Sequence, residues 1–174
     1  AEDLLARSGS RAWLWAILES GVGVVNAHEI AQASRRLAAL SFGSADFCAE
    51  LGIAMKWEPL LYARSQVVLA GRTAGIGVLD SPTFALDDPE LLEFEATAAA
   101  ELGFTGKIAI HPSQVEVINA AFTPKPEQVE WATSVVQALE DRDGSIATVG
   151  GQMVGPPFLR TAHRILTQAK QTAS

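Results

Sequence analysis

The chain alternates short apolar runs with longer stretches in which apolar residues return every three or four positions. Residues 12–18 (AWLWAIL) are apolar and stop at Glu19-Ser20-Gly21, the pattern of a buried strand entering a loop. Over 26–38, Ile30, Ala33 and Leu37 recur at helical spacing, which predicts a helix capped by Asn26. A second strand is predicted at 39–42, closed by Gly43-Ser44-Ala45-Asp46. An amphipathic helix over 58–74 follows, then a third strand at 76–79, stopped by Asp80-Ser81-Pro82. A Glu/Ala/Leu-rich helix over 89–102 ends at Gly103, and a fourth strand at 107–110 closes at His111-Pro112. Further helices are expected at 113–122, with Ser113 as cap, and at 129–139. Residues 141–151 read as a loop or short hairpin, and a closing helix spans about 158–169.

Strands alternating with helices through short connections imply parallel strands joined by right-handed crossovers, an α/β fold. In such folds ligands gather at the carboxyl ends of the strands, where Glu19, Asp46, Asp80 and His111 fall. About four strands are visible, which suits a small open sheet or part of an eight-stranded barrel. Periodicity does not choose between them. Trp13 and Trp15 alternate within the first strand, which predicts packing on the core and helices.

Composition narrows the partners. The 174 residues make one domain or a large piece of one, and 48% hydrophobic with 19% charged residues excludes a disordered chain. A net charge of −7 lacks the basic footprint of a nucleic-acid binder. The single cysteine, Cys48, excludes an internal disulfide and a cysteine metal cluster, reads as a small buried hydrophobe, and fits a reducing, cytoplasmic setting. No apolar run reaches the roughly 20 residues of a membrane helix, so no membrane partner is expected. The chain starts at Ala1 without signal-peptide architecture, which reads as a processed or truncated start.

Glu19 and Asp46 are the strongest candidate pair, since each follows an apolar strand beside a glycine-containing turn. Two carboxylates converging in a partly dry site repel unless a proton or cation lies between them, and Mg2+ would meet that need. The alternative is that Glu19 caps a helix and Asp46 closes a turn; spacing leaves both open. The small residues Gly43, Ser44 and Ala45 expose backbone N–H groups that could hold a carboxylate or enolate oxygen, although an ordinary turn looks the same. A lone histidine such as His111 is more often hydrogen-bonded to backbone than catalytic. His28 and His163 read as surface residues, and Arg64 as solvated or salt-bridged. No Walker loop, dinucleotide fingerprint or nucleophile elbow is present.

Several stretches together resemble the citrate lyase β-subunit-like family, which includes malyl-CoA and citramalyl-CoA lyases. They are LESGVGVVNAHEIA at 18–31, SFGSADFCAELG at 41–52, YARSQVVLAGRTAGIGVLDSP at 62–82, ELGFTGKIAIHPSQVEVINAAFTP at 101–124 and GGQMVGPPFLRTA at 150–162. The resemblance implies a (β/α)8 TIM barrel of which about the last four β/α units are present, residues 1–140 forming its C-terminal half. Residues 141–174 would be a C-terminal loop and helix at a subunit interface of a homo-oligomer, a trimer or hexamer. It further implies a Mg2+-dependent carbon–carbon lyase acting on a hydroxyacyl-CoA of the citrate, malyl or citramalyl type. Glu19 and Asp46 would be the catalytic metal ligands; Glu19, Gly43, Ser44 and Ala45 would bind the keto acid; His111 and Pro112 would lie on the CoA side.

Two departures stand out. The family's front half, with a substrate-clamping arginine on its third strand, is not in this sequence. The family motif G-x-M-[VI]-D-x-P carries an acid/base aspartate where this chain has Gly155. An acyl-CoA thioester hydrolase and a non-catalytic acyl-CoA or keto-acid binding subunit are therefore rival readings. Gly155 could instead serve a backbone conformation with positive φ.

Overall fold

The computed structural model describes residues 2–141 and 145–172. They fall into two compact units, Ala1–Phe122 and Thr123–Ser174.

The first unit opens with α1 (Glu2–Arg7) and is built on four parallel strands in the order β1 (Leu14–Leu18), β2 (Leu37–Phe42), β3 (Gly77–Asp80) and β4 (Gly106–Lys107). Leu18 pairs with Phe42, Leu40 with Val78, and Asp80 with Lys107. Alternation then sends Leu18, Leu40, Phe42 and Val78 to one face, where they join Leu60, Ala63, Val67 and Ala70 of α5 (Trp57–Ala74) in the core. Leu40, Phe42 and Val78 are fully buried, each contributing roughly 1.5–3 kcal/mol. Gly71 is what lets α5 lie so close, because a Cβ there would clash with Val78 Cγ1. The strands therefore stand in a fixed register, with their carboxyl ends along one edge.

The predicted tryptophan packing is corrected. Trp13 lies outside β1, and Trp13, Trp15 and Ile17 are 71%, 55% and 57% exposed. The period of two turns Trp15 and Ile17 to the face opposite the helices, and among the described residues nothing covers it.

The helix expected over 26–38 is two short ones, α2 (Gly21–Val25) and α3 (Ala27–Gln32). Asn26 does not cap α3 through its side chain; its amide donates back to Val22 O at 2.9 Å, ending α2. Ser34 then turns the chain, its hydroxyl accepting from Arg36 N at 3.0 Å, so Leu37 already belongs to β2. Residues 44–51, not foreseen as helical, form α4 (Ser44–Leu51).

Helix α6 (Pro89–Leu102) starts on an Asp88 side-chain cap, 2.9 Å from Leu91 N, and ends at Gly103 with φ +110°. The fourth strand is shorter than its apolar run predicts. Ile110 N donates to Gln114 Oε1 at 2.9 Å, and a 3-10 turn over Pro112–Gln114 leads into α7 (Val115–Phe122). Ser113 sits inside that turn; its cap is His111, whose ring accepts from Ser113 N.

The second unit packs α8 (Pro126–Glu140) with the hairpin β5 (Ala147–Val149) and β6 (Gln152–Val154) and with α9 (Pro156–Thr172). The hairpin turns through Gly150 and Gly151 at φ +56° and +80°, the paired positive φ of a two-residue loop. Gly155 has no positive φ, so the backbone explanation for this glycine is corrected. Its carbonyl accepts from Phe158 N at 2.9 Å and Leu159 N at 3.2 Å, which places it at the N-cap of α9. Among the described residues no helix is long and apolar enough to cross a membrane.

Candidate active site

The carboxyl ends of β1 and β2 bring Glu19 and the 43–46 segment together. Gly43 N donates to Leu18 O at 2.9 Å, carrying the ladder one residue past β2. A Cβ at position 43 would stand 2.5 Å from Glu19 Cβ and 3.1 Å from Glu19 Oε2. The Glu19 side chain thus lies directly over Gly43, in space that no other residue leaves free.

Glu19 does not do the capping work that the plainer reading assigns it. The cap of α2 is Ser20, whose Oγ accepts from Gly23 N at 3.1 Å, and Glu50 Oε2 accepts from Gly21 N at 2.8 Å. Asp46 sits in the first turn of α4, behind an N-cap that is Gly43. There the helix dipole favours a negative charge. Glu19 and Asp46 are both exposed, and among the described residues neither forms a salt bridge.

Of the keto-acid candidates, Gly43 is half-buried, Ser44 buried and Ala45 exposed. Ser44 and Ala45 open α4, where backbone N–H groups lack intrahelical acceptors. His111 and Pro112 are exposed beyond β4, separated from β1 by β2 and β3 in the sheet. The structure groups Glu19 with 43–46 and leaves the 111–112 pair at the other side of the edge.

Glu19 and Asp46 would offer an ion two carboxylates. Among the described residues no group of three or more His, Cys, Asp or Glu stands together. Two exposed carboxylates suit Mg2+, which takes one or two and fills its octahedron with water and substrate oxygens.

Asp80, grouped by sequence with the strand-end residues, points elsewhere. It shares the helix-side parity of Val78 and is fully buried. Arg64 Nε donates to its Oδ1 at 2.8 Å and Lys107 Nζ to its Oδ2 at 2.9 Å. Lys107 also donates to Ser81 O at 2.8 Å and reaches Glu95 Oε2 at 3.3 Å, which Thr83 contacts in turn. A buried aspartate between two cations has its charge matched on both oxygens. The sequence carries only part of the signal for this cluster: Asp80 shares the parity of Val78, whereas Lys107, which closes β4, is brought to it by the β3–β4 register. Cys48 is buried as expected; burial pushes its thiol above the ordinary range, against a smaller downward pull from Arg64. His28 and His163 are exposed.

A family model described as HpcH/HpaI aldolase/citrate lyase matches residues 7–112. The chain belongs to this family. Among family relatives, it is 36% identical over 182 residues to an L-malyl-CoA/beta-methylmalyl-CoA lyase of Rhodobacter capsulatus, covering 92% of this chain and 57% of that protein. It is 35% identical over 166 residues to a (3S)-malyl-CoA thioesterase of Cereibacter sphaeroides, covering 92% of this chain and 58% of that protein. Among solved structures, the protein CitE from Mycobacterium tuberculosis in complex with magnesium, acetoacetate and coenzyme A matches at TM-score 0.81 and 28% identity, over 97% of this chain and 73% of that one. The chain therefore spans less than three fifths of the length of these two curated relatives.

Proposed function

We propose that this chain carries the metal- and keto-acid-binding part of a Mg2+-dependent carbon–carbon lyase acting on a hydroxyacyl-CoA. The observation that carries the reading is the Glu19 carboxylate folded over Gly43, with Asp46 in the next helical turn, in a member of this family. The magnesium, acetoacetate and coenzyme A bound by the similar CitE structure support it. The sheet supports a (β/α)8 barrel: β1–β4 would be its last four strands, and Trp15 and Ile17 would face the layered barrel interior.

Glu19 and Asp46 would hold Mg2+, which would supply Lewis-acid polarisation of a carbonyl. The N–H groups of Ser44 and Ala45 would hold the keto-acid carboxylate, as helix N-termini hold anions. His111 and Pro112 would border the CoA moiety. As ligands, Glu19 and Asp46 have no proton to give. Cleavage of the carbon–carbon bond takes the proton from the substrate hydroxyl as its oxygen becomes the keto carbonyl, and the acyl-CoA enolate takes up one proton in turn; at the position the family resemblance assigns to the acid/base, this chain has Gly155, with no side chain to carry either proton. Residues 141–174 would lie at a subunit interface of a homo-oligomer.

A thioester hydrolase is the second reading, favoured by the malyl-CoA thioesterase relative. Incubation with malyl-CoA-type thioesters and Mg2+, with keto acid and free thiol assayed in parallel, separates the two. Keto acid without free thiol supports the lyase; free thiol without keto acid supports the hydrolase. Acyl-CoA binding with neither product leaves the binding-subunit reading.

A further inference from the structure

Arg64 is 2% exposed, and its Nε bond to Asp80, itself held by Lys107, fixes the plane of the guanidinium. That plane meets two rings: Arg64 Cζ is 4.3 Å from the Trp57 ring centroid and 5.6 Å from that of Phe42. Phe42 is the last residue of β2, and its ring meets Phe47 edge-on at 5.4 Å. Two aromatic anchors in mutual contact therefore bracket residues 43–46. Arg64 and Ser44 also line one cavity of about 150 Å³. Among the described residues Arg64 Nη1 is buried without a hydrogen-bond partner. The charge is felt in α4, where it counters the effect of burial on Cys48.

We propose that Arg64 is a positioning residue for the 43–46 segment: by clamping Phe42 against the buried Asp80–Lys107 pair, it sets where Asp46 stands relative to Glu19. The inference rests on the metal reading above for its consequence, but not for the clamp itself. Partners that hold metal ligands in place typically change affinity by roughly 10–100-fold when altered.

The test compares the wild-type chain with Arg64→Lys and Glu95→Gln, at a temperature where all three are folded. Arg64→Lys keeps a cation at Asp80 and removes the flat face that meets Phe42 and Trp57. Glu95→Gln weakens the same ion cluster at Lys107 and Thr83, away from Phe42. Amide hydrogen exchange across residues 44–47, without metal, should rise in Arg64→Lys alone. Mg2+ affinity by calorimetry should fall about tenfold or more in Arg64→Lys and stay near wild type in Glu95→Gln. Wild-type exchange in folded Arg64→Lys, or equal effects from Glu95→Gln, overturns the proposal. Should Arg64→Lys not fold, Trp57→Leu, which removes the stacked ring, is read by the same criteria. Absence of Mg2+ binding in the wild type overturns the metal reading, and the exchange data still decide the clamp.

Discussion

At Gly43 the choice of residue is narrow, because the Glu19 side chain occupies the place where a Cβ would go. Gly43→Ala should force Glu19 aside, costing about 1–3 kcal/mol of stability in chemical denaturation, as overpacking does, and weakening Mg2+ binding by calorimetry. Asp80 is bound by a different rule. Its removal in Asp80→Ala leaves two buried cations facing each other, a loss of about 3–5 kcal/mol, read as a lower denaturation midpoint with unchanged slope. Cys48 supplies a third check. Its buried thiol, pushed to higher pKa by desolvation, should resist a thiol reagent at pH 8 and react promptly only in denaturant.

At the scale of elements, the apolar runs located the first three parallel strands and, to one residue, the fourth, because strands covered by helices must be apolar at alternate positions. Glu19 and Asp46 follow those runs in the sequence, and the structure sets the Glu19 side chain over Gly43 at the head of the 43–46 segment. The misses came where local hydrogen bonds overrode periodicity. Asn26 ends α2 and Ser34 ends the turn into β2, so one helix became two. Gln114 drew Ile110 out of the fourth strand. The Arg64–Asp80–Lys107 cluster stayed hidden because three charges far apart in sequence look solvated until the sheet register aligns them. Position 155 links element and activity. Among the described residues a Cβ there meets only Ile146 Cγ1 at 3.9 Å, and aspartate is a preferred N-cap, so Gly155→Asp should fold with an unchanged or slightly higher melting temperature. If the missing acid/base limits turnover, the same variant should raise kcat about 10²–10⁴-fold with KM nearly constant.

At the scale of the molecule, β1 offers an open edge and an apolar face with Trp15 and Ile17 more than half exposed. Open parallel edges and apolar faces of this kind call for cover by further strands or by another subunit. Light scattering at micromolar concentration should accordingly return a mass above that of one chain. Calorimetric titration of Mg2+ into the wild-type chain and into Asp46→Ala and Glu19→Ala tests the site at the strand ends most directly. The account predicts a saturable one-site isotherm for the wild type that either substitution largely abolishes while the melting transition persists. Wild-type binding retained in both folded variants, or no binding in the wild type, would contradict it.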